Sequence, residues 1–235
     1  MIYHFHDDFT TADKTKFRAA QTNDLAKICA FLETAPPNIT YEVFASVADK
    51  QAADPLHSKS AASARFREMT IFRAWTPADD AHLPHEMTHL VAHTWARPYL
   101  FHTVLTDANG REFATDIDMV STSFVQEGLA MAVDDMIFRR KLFANSERLD
   151  DLLAQFREKF PPLEQVINYD GFSEFDYWIG MTFAAGLCRH LLKNFPLDQF
   201  KRFYIALRET ASPADNVREL EQIYQRSTAD IVAKI

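Results

Sequence analysis

Glycine is scarce in this chain, and its distribution limits the loops that the chain can form. The sequence has 235 residues and five glycines, whereas average usage of about 7% would give roughly sixteen. The earliest glycine is Gly110, so the first 109 residues contain none. Phosphate-binding loops of the P-loop and dinucleotide-binding types need clustered glycines, which let the backbone approach the phosphate. The sequence therefore excludes glycine-rich nucleotide binding.

Composition and charge are those of an ordinary globular protein. Hydrophobic residues make up 47% of the chain, which suffices for a sizeable core. The net charge of −8 offers no basic surface for a nucleic-acid backbone, and no apolar stretch approaches the length of a membrane span. The first ten residues lack the basic and apolar regions of a signal peptide, although a removed segment could have preceded them. Cys29 and Cys188 are too few for a disulfide framework, which favours a reducing, cytoplasmic compartment. From the charge and the lack of an apolar span, we expect a protein that binds neither nucleic acid nor membranes.

The hydrophobic pattern predicts an α+β fold, with a small antiparallel or mixed N-terminal sheet followed by a mainly helical, zincin-like bundle. Residues 1–78 are expected to form a sheet-plus-helix portion, with a helix over residues 13–32 and strands over residues 39–47 and 68–75. Residues 79–235 are expected to form the helical portion that carries the metal site. Its predicted helices cover residues 84–96, 122–143, 148–160, 174–193 and 197–208, with a hairpin turn around Gly110 and a helix pair after Pro213. We expect both portions to belong to one continuous domain.

The most specific motif is His-Glu-Met-Thr-His at residues 85–89. Side chains four residues apart lie on the same face of a helix, so His85 and His89 direct two imidazoles at one point. Imidazole nitrogen is a good zinc ligand, and Glu86 flanks the same point as a general base for an attacking water. The motif predicts a metal site; a helix face that is merely rich in histidine is the alternative.

A catalytic zinc site needs a third protein ligand and keeps its fourth position open. The extended pattern HExxHxxGxxH fails, because Ala92 and Trp95 occupy the positions of its glycine and third histidine. His93 continues the row of histidines but lies two turns from His85. An outer role, in which it supports the ligands without binding the metal, or a structural role is therefore favoured for His93.

Glu127 is the better candidate for the third ligand. It lies in the apolar segment SFVQEGLAMAV, where a carboxylate is costly unless it is paired or bound to a metal. Gly128 is equally unusual, since glycine within a helix costs about 1 kcal/mol relative to alanine. It predicts a close approach of another helix, and we expect that helix to be the one over residues 84–96.

The combination of HExxH with a later helix containing Glu-Gly-x-Ala, here residues 127–130, resembles the gluzincin metallopeptidases. In that family a glutamate from a later helix completes the zinc site. The resemblance implies that one Zn²⁺ is bound by His85, His89 and Glu127, with Glu86 as the general base.

The distance along the chain from His89 to Glu127 is longer than in the best-known gluzincins, which makes the segment around Gly110 an insertion. Asp116 or Asp118 is therefore the alternative third ligand, in the manner of the aspzincins.

Two further residues are candidates for supporting roles. Tyr177 with Gly180 resembles the Tyr-x-x-Gly segment of aminopeptidase-like gluzincins, in which the tyrosine hydroxyl stabilises the tetrahedral intermediate, a role of electrostatic type. A tyrosine that packs on a helix with its hydroxyl in water fits equally well, and Tyr169 is a local rival. Asp134 falls on nearly the same helix face as Glu127 and could accept a hydrogen bond from a ligand imidazole, but a solvated carboxylate is at least as consistent.

These features predict a zinc-dependent peptidase that hydrolyses a peptide or protein substrate. The strand over residues 68–75 precedes the metal helix, where zincins place the edge strand that pairs with an extended substrate. Aminopeptidase-like gluzincins carry a Gly-x-Met-Glu-Asn element ahead of the zinc motif, which the absence of glycine excludes here, so endopeptidase action is favoured. The alternatives are a zincin-like domain that binds metal or a partner without turnover, and a hydrolase of a non-peptide amide.

Overall fold

The computed structural model describes residues 1–54, 60–106, 112–140 and 147–235. Its contacts divide the chain into two compact units, one of residues 1–94 and 98–119 and the other of residues 95–97 and 120–235. A small mixed sheet, a two-stranded sheet and abundant helix confirm the predicted α+β class. The predicted boundary after residue 78 and the single continuous domain stay predictions.

A mixed sheet of four strands lies at the centre of the first unit. Its strands are β1 (Ile2–Phe5), β2 (Thr40–Phe44), β3 (Ala62–Arg65) and β4 (Thr70–Ala74), in the order β1-β2-β4-β3. β1, β2 and β4 are parallel, and β3 runs antiparallel to β4. Helix α1 (Thr11–Phe31) covers one face, where the ring of Phe17 meets the edge of Tyr41 at 5.8 Å and Tyr3 stacks on Tyr41 at 5.2 Å.

The prediction that residues 68–75 form the edge strand is wrong, because β3 pairs with the outer side of β4. The sequence of β3, Ala-Ser-Ala-Arg, carries little apolar alternation, and for that reason it was not predicted as a strand.

Polar contacts hold β3 to the neighbouring helix α2 (Val47–Ala53), which was also not predicted. The carboxylate of Asp54 accepts hydrogen bonds from the Ser63 hydroxyl and, at 2.8 Å, from Nε of Arg65. The buried ammonium of Lys50 lies 3.2 Å from the same carboxylate. Hydrogen bonds and an ion pair at the carboxylate of Asp54 therefore anchor the edge strand to α2.

The metal motif lies on helix α3 (Pro84–His93), which ends three residues before the predicted end at residue 96. Strands β5 (Tyr99–Thr106) and β6 (Glu112–Met119) then pair antiparallel, as expected of a hairpin. The turn predicted at Gly110 lies outside the described residues.

The second unit is built from helices. They are α4 (Ser123–Phe138), α5 (Leu149–Phe156), α6 (Tyr169–Glu174), α7 (Tyr177–Asn194), α8 (Leu197–Ala206), α9 (Pro213–Tyr224) and α10 (Thr228–Val232). The predicted helix over residues 122–143 ends early, because Arg139 adopts the left-handed conformation at φ 50°. The helix pair predicted after Pro213 is confirmed as α9 and α10. None of the helices in the described part of the chain combines the length and the apolar character needed to cross a bilayer.

Gly128 lies where α4 crosses α7 at close range. A Cβ atom at this position would lie 2.7 Å from the carbonyl carbon of Ala184 and 2.9 Å from Sγ of Cys188. The predicted close helix approach is thus confirmed, but its partner is α7 and not the helix that begins at residue 84.

Replacing Gly128 with alanine is expected to lower the free energy of unfolding by about 1–3 kcal/mol, because the new methyl group meets the backbone of α7. The higher helix propensity of alanine offsets only about 1 kcal/mol of that loss. Gly186→Ala is the matched control, since its Cβ would meet the movable ends of the Leu153 and Ile235 side chains. Urea denaturation should show a smaller loss for Gly186→Ala, and equal stability of Gly128→Ala and wild type would contradict the prediction.

Candidate metal centre

Helix α3 places two imidazoles on consecutive turns. The helix begins with Pro84, whose ring suits the first helical position because no intrahelical N–H bond is lost there. Nε2 of His85 lies 3.2 Å from Nε2 of His89, and the two rings are nearly perpendicular at 84°. Two nitrogen ligands at about 2.0–2.1 Å from a tetrahedral ion lie roughly 3.3 Å apart. The spacing of the two nitrogens therefore fits a shared metal ion.

The aromatic ring of Phe66 supports this face of α3. It meets His89 edge-on, with ring centroids 6.2 Å apart, and stacks on His93 with centroids 4.9 Å apart and planes within 8°. His89 and His93 are buried, whereas His85 and Glu86 are half-buried. The imidazole of His89 is thus held by packing, while the carboxylate of Glu86 keeps contact with solvent.

Glu127 occupies α4 between two buried neighbours, Gln126 and Gly128, and is itself half-buried. One ligand atom from each of His85, His89 and Glu127 lies within 4.8 Å of the other two. Within the described part of the chain, this is the one group of three such residues with that spacing. Such a group could hold a metal ion, and its three members are the ligands that the sequence predicts.

The alternative ligands Asp116 and Asp118 lie on β6 and are engaged elsewhere. Both carboxylate oxygens of Asp118 accept hydrogen bonds from the guanidinium of Arg67, at 2.9 and 3.1 Å. These hydrogen bonds hold the pKa of Asp118 below its usual value. Asp116 pairs with Nδ1 of His102 at 3.0 Å. Their partners favour Glu127 as the third ligand.

His93 has the surroundings of a packing residue. It is 7% exposed, it stacks on Phe66, and its Nδ1 has no hydrogen-bond partner among the described residues. Burial lowers its pKa, and the charge of Asp118 counteracts this only in part. Of the two roles expected for His93, outer or structural, this position agrees with the structural one.

Tyr177 is the first residue of α7 and is 61% exposed, with its ring against the edge of Trp178 at 5.5 Å. The N-cap residue Asp176 accepts a hydrogen bond from the N–H of Ile179, which fixes this first turn. Gly180 faces the ring of Phe172, which would lie 3.2 Å from an added Cβ. The catalytic role of Tyr177 stays a prediction.

The rival Tyr169 begins α6, where its backbone N–H is bonded to Glu209. Asp134 is half-buried on α4, and its hydrogen bond to a ligand imidazole stays a prediction. The adjacent Asp135 pairs with Arg189 at 3.0 Å.

Glu209 is a positioning residue that sequence reasoning missed. Its buried carboxylate accepts the N–H of Ser123 at 2.5 Å and the N–H of Tyr169 at 2.6 Å, so that it caps α4 and α6 together. Burial raises its pKa, and these hydrogen bonds counteract the rise. The first residue of α4 and Glu209 are 86 positions apart, and no local pattern signals a cap from so far away. Since α4 carries Glu127, this cap helps to fix the helix on which the predicted third ligand lies.

Lys50 also contributes to the electrostatics of the motif. Its charge interacts most strongly with Asp54 and, more weakly, with Glu86. The positive charge of Lys50, a buried residue of α2, thus acts on the carboxylate of Glu86.

No model of a protein family matches the sequence, and no curated protein matches it either. The resemblance to gluzincins therefore rests on the motifs at residues 85–89, 127–130 and 177–180 and stays a prediction.

Replacing His93 with phenylalanine is expected to make the protein less sensitive to mild acid. Because burial lowers the pKa of His93, the folded chain binds this proton less readily than the unfolded chain. Its contribution to stability is complete above the unfolded pKa of about 6.5 and declines as the pH falls below it, by at most about 1.4 kcal/mol per pH unit. Urea denaturation of the metal-free protein at several pH values between about pH 5 and about pH 7.5 gives the free energy of unfolding as a function of pH. This free energy should fall less steeply with decreasing pH for the variant than for wild type. Identical slopes would show that His93 does not contribute.

Proposed function

We propose that this protein is a zinc-dependent endopeptidase of the gluzincin type. The observation that carries the proposal is the grouping of ligand atoms from His85, His89 and Glu127 within 4.8 Å. Two imidazole nitrogens and one carboxylate oxygen are the donor set of a His₂Glu catalytic zinc site. Glu86 directly follows the first ligand, as the general base of the HExxH motif does.

The chemistry follows from this arrangement. His85, His89 and Glu127 would hold the Zn²⁺, which would supply a water of lowered pKa and polarisation of the scissile carbonyl. Glu86 takes the proton of the attacking water and delivers it to the leaving amine. Tyr177, in the role that the resemblance implies, donates a hydrogen bond to the developing oxyanion. Its exposure at the start of α7 leaves the ring accessible to substrate.

β3 is the element proposed to bind the peptide. It packs against α3 and is an edge of the described sheet. The outer edge of such a strand presents backbone N–H and C=O groups, to which an extended peptide can add as a further strand. The cluster of Asp54, Lys50 and Arg65 holds β3 in place for this role. The missing Gly-x-Met-Glu-Asn element favours cleavage within a chain over removal of terminal residues.

The proposed location is the cytoplasm, since Cys29 and Cys188 are both buried free thiols, as expected of a protein in a reducing compartment.

Glu86→Gln is expected to keep one zinc per chain while hydrolysis of a fluorogenic peptide library falls by at least about 100-fold, the low end for loss of general base catalysis. Metal content by mass spectrometry and initial rates with and without a chelator provide the measurements. The matched control is Glu158→Gln, at an exposed position in the turn that follows α5, and it should retain the wild-type rate.

Three results would contradict or redirect this proposal. If wild type and Glu86→Gln bind zinc and are equally inert on peptides and on non-peptide amides, a binding domain without turnover is the correct function. If both fail on peptides and wild type alone cleaves a panel of non-peptide amides, the substrate class is wrong. If the wild-type protein binds no metal, the ligand set itself is wrong.

Glu127→Gln is expected to weaken Zn²⁺ binding by more than the 10–100-fold that the loss of an outer-shell partner costs, because it removes an anionic ligand. Asp118→Asn is the matched control and should leave the affinity unchanged, since the carboxylate of Asp118 is bonded to Arg67. Competition with a chromogenic chelator measures both constants. The opposite order of effects would identify Asp118 as the third ligand.

A further inference from the structure

Two buried side chains of α1 hold the segment that leads into the metal helix. Gln21 and Asp24 are both 0% exposed and lie about one turn apart on α1. The amide of Gln21 donates a hydrogen bond to the carbonyl of Ala81. One oxygen of Asp24 lies 2.7 Å from Nδ1 of His82, and the other accepts the N–H of Leu83 at 3.2 Å. Three consecutive residues, directly before Pro84, are thus bonded to α1.

Helix α3 has no side-chain cap of its own. Its N-cap residue is Leu83, which makes no side-chain hydrogen bond, and Pro84 follows. Leucine cannot accept a hydrogen bond from the first turn as serine or aspartate would. The carboxylate of Asp24 therefore supplies, from another helix, the anchor that the local sequence lacks.

The burial of the Asp24 carboxylate costs free energy, which its hydrogen bonds must offset. Burial raises the pKa of Asp24, and the hydrogen bond from His82 is foremost among the interactions that counteract the rise. A buried carboxylate is costly unless its oxygens are bonded. Both oxygens are bonded here, and both bonds end on the residues that set the direction in which α3 starts.

We infer that Asp24 is a positioning residue of the metal centre, which acts through His82 and Leu83 on the first turn of α3. The inference rests on the proposed metal site. His85 and Glu86 belong to that first turn, so the direction of the helix start determines where the imidazole nitrogen and the carboxylate lie. Groups that orient metal ligands without touching the ion typically account for 10–100-fold in metal affinity.

Asp24→Asn tests the inference. Asparagine keeps the shape but removes the charge: its Oδ1 can still accept the N–H of Leu83, whereas its NH₂ group faces Nδ1 of His82, which can accept only if the imidazole changes its tautomer. We expect Zn²⁺ binding to weaken about tenfold. We also expect the visible absorption spectrum of the Co²⁺-loaded protein to change at saturating cobalt, because the ligand geometry differs.

Asp13→Asn is the matched control, since it makes the same substitution on the same helix. Asp13 belongs to the exposed capping box of α1 with Thr10. Its loss should lower the stability of α1 while the Zn²⁺ affinity and the cobalt spectrum remain those of wild type. All measurements are made where circular dichroism shows the variants to be folded.

His82→Asn provides a second variant in case Asp24→Asn does not fold. It alters one of the two bonds and leaves the bond to Leu83, so a smaller loss of affinity in the same direction supports the inference. Wild-type affinity and an unchanged cobalt spectrum in the folded Asp24→Asn protein, or in folded His82→Asn if it alone folds, would overturn it. Failure of the wild-type protein to bind either metal would overturn the proposed function and this inference together, and it is distinguishable because it is seen without any substitution.

Discussion

Buried carboxylates hold the backbone segments on which the proposed site depends. Asp24 holds the start of α3, Asp54 holds the edge strand β3, and Glu209 holds the starts of α4 and α6. Removing a carboxylate from water is costly, so each oxygen must be matched by donors in a narrow range of geometry. Because the backbone and side-chain donors must lie in that geometry, the directions of α3, β3 and α4 are fixed. A core built from apolar contacts alone would define these directions less sharply, since dispersion has little angular preference.

Close packing supplies the second constraint in the helical unit. Without a side chain at Gly128, α4 approaches the backbone of α7 near Ala184. Consecutive residues of a helix differ by about 100° in direction, so the face next to the crossing is the one on which Glu127 lies. The glycine thus sets how closely α4 approaches α7, and the carboxylate of Glu209 holds the start of α4.

The features that the sequence predicted correctly are those with a local physical cause. The helix that carries His85 and His89 follows from helical periodicity, and the close helix contact at Gly128 follows from a glycine in an otherwise apolar helix. The features that were missed have causes elsewhere in the chain. β3 is polar and depends on Asp54, which lies outside the strand. The capping partners Asp24 and Glu209 lie 59 and 86 positions away from the N–H groups that they accept. The helices that end at residues 93 and 138 were predicted to continue to residues 96 and 143, because the apolar periodicity of the sequence continues beyond the observed ends.

By itself, the sequence determined the mixed α and β composition of the fold, the helix that carries two histidines on one face, and a short list of candidates for a third ligand. These properties depend on the spacing of residues along the chain, because that spacing determines on which face of a helix each side chain lies. Only the tertiary structure paired Asp118 with Arg67, placed β3 at the edge of the described sheet, and showed that α7 is the partner of Gly128. Each of these depends on which distant groups compete for the same donor or the same space. Such competition is settled when the chain is folded, because hydrogen bonds and close contacts form between neighbours in space regardless of their separation in sequence.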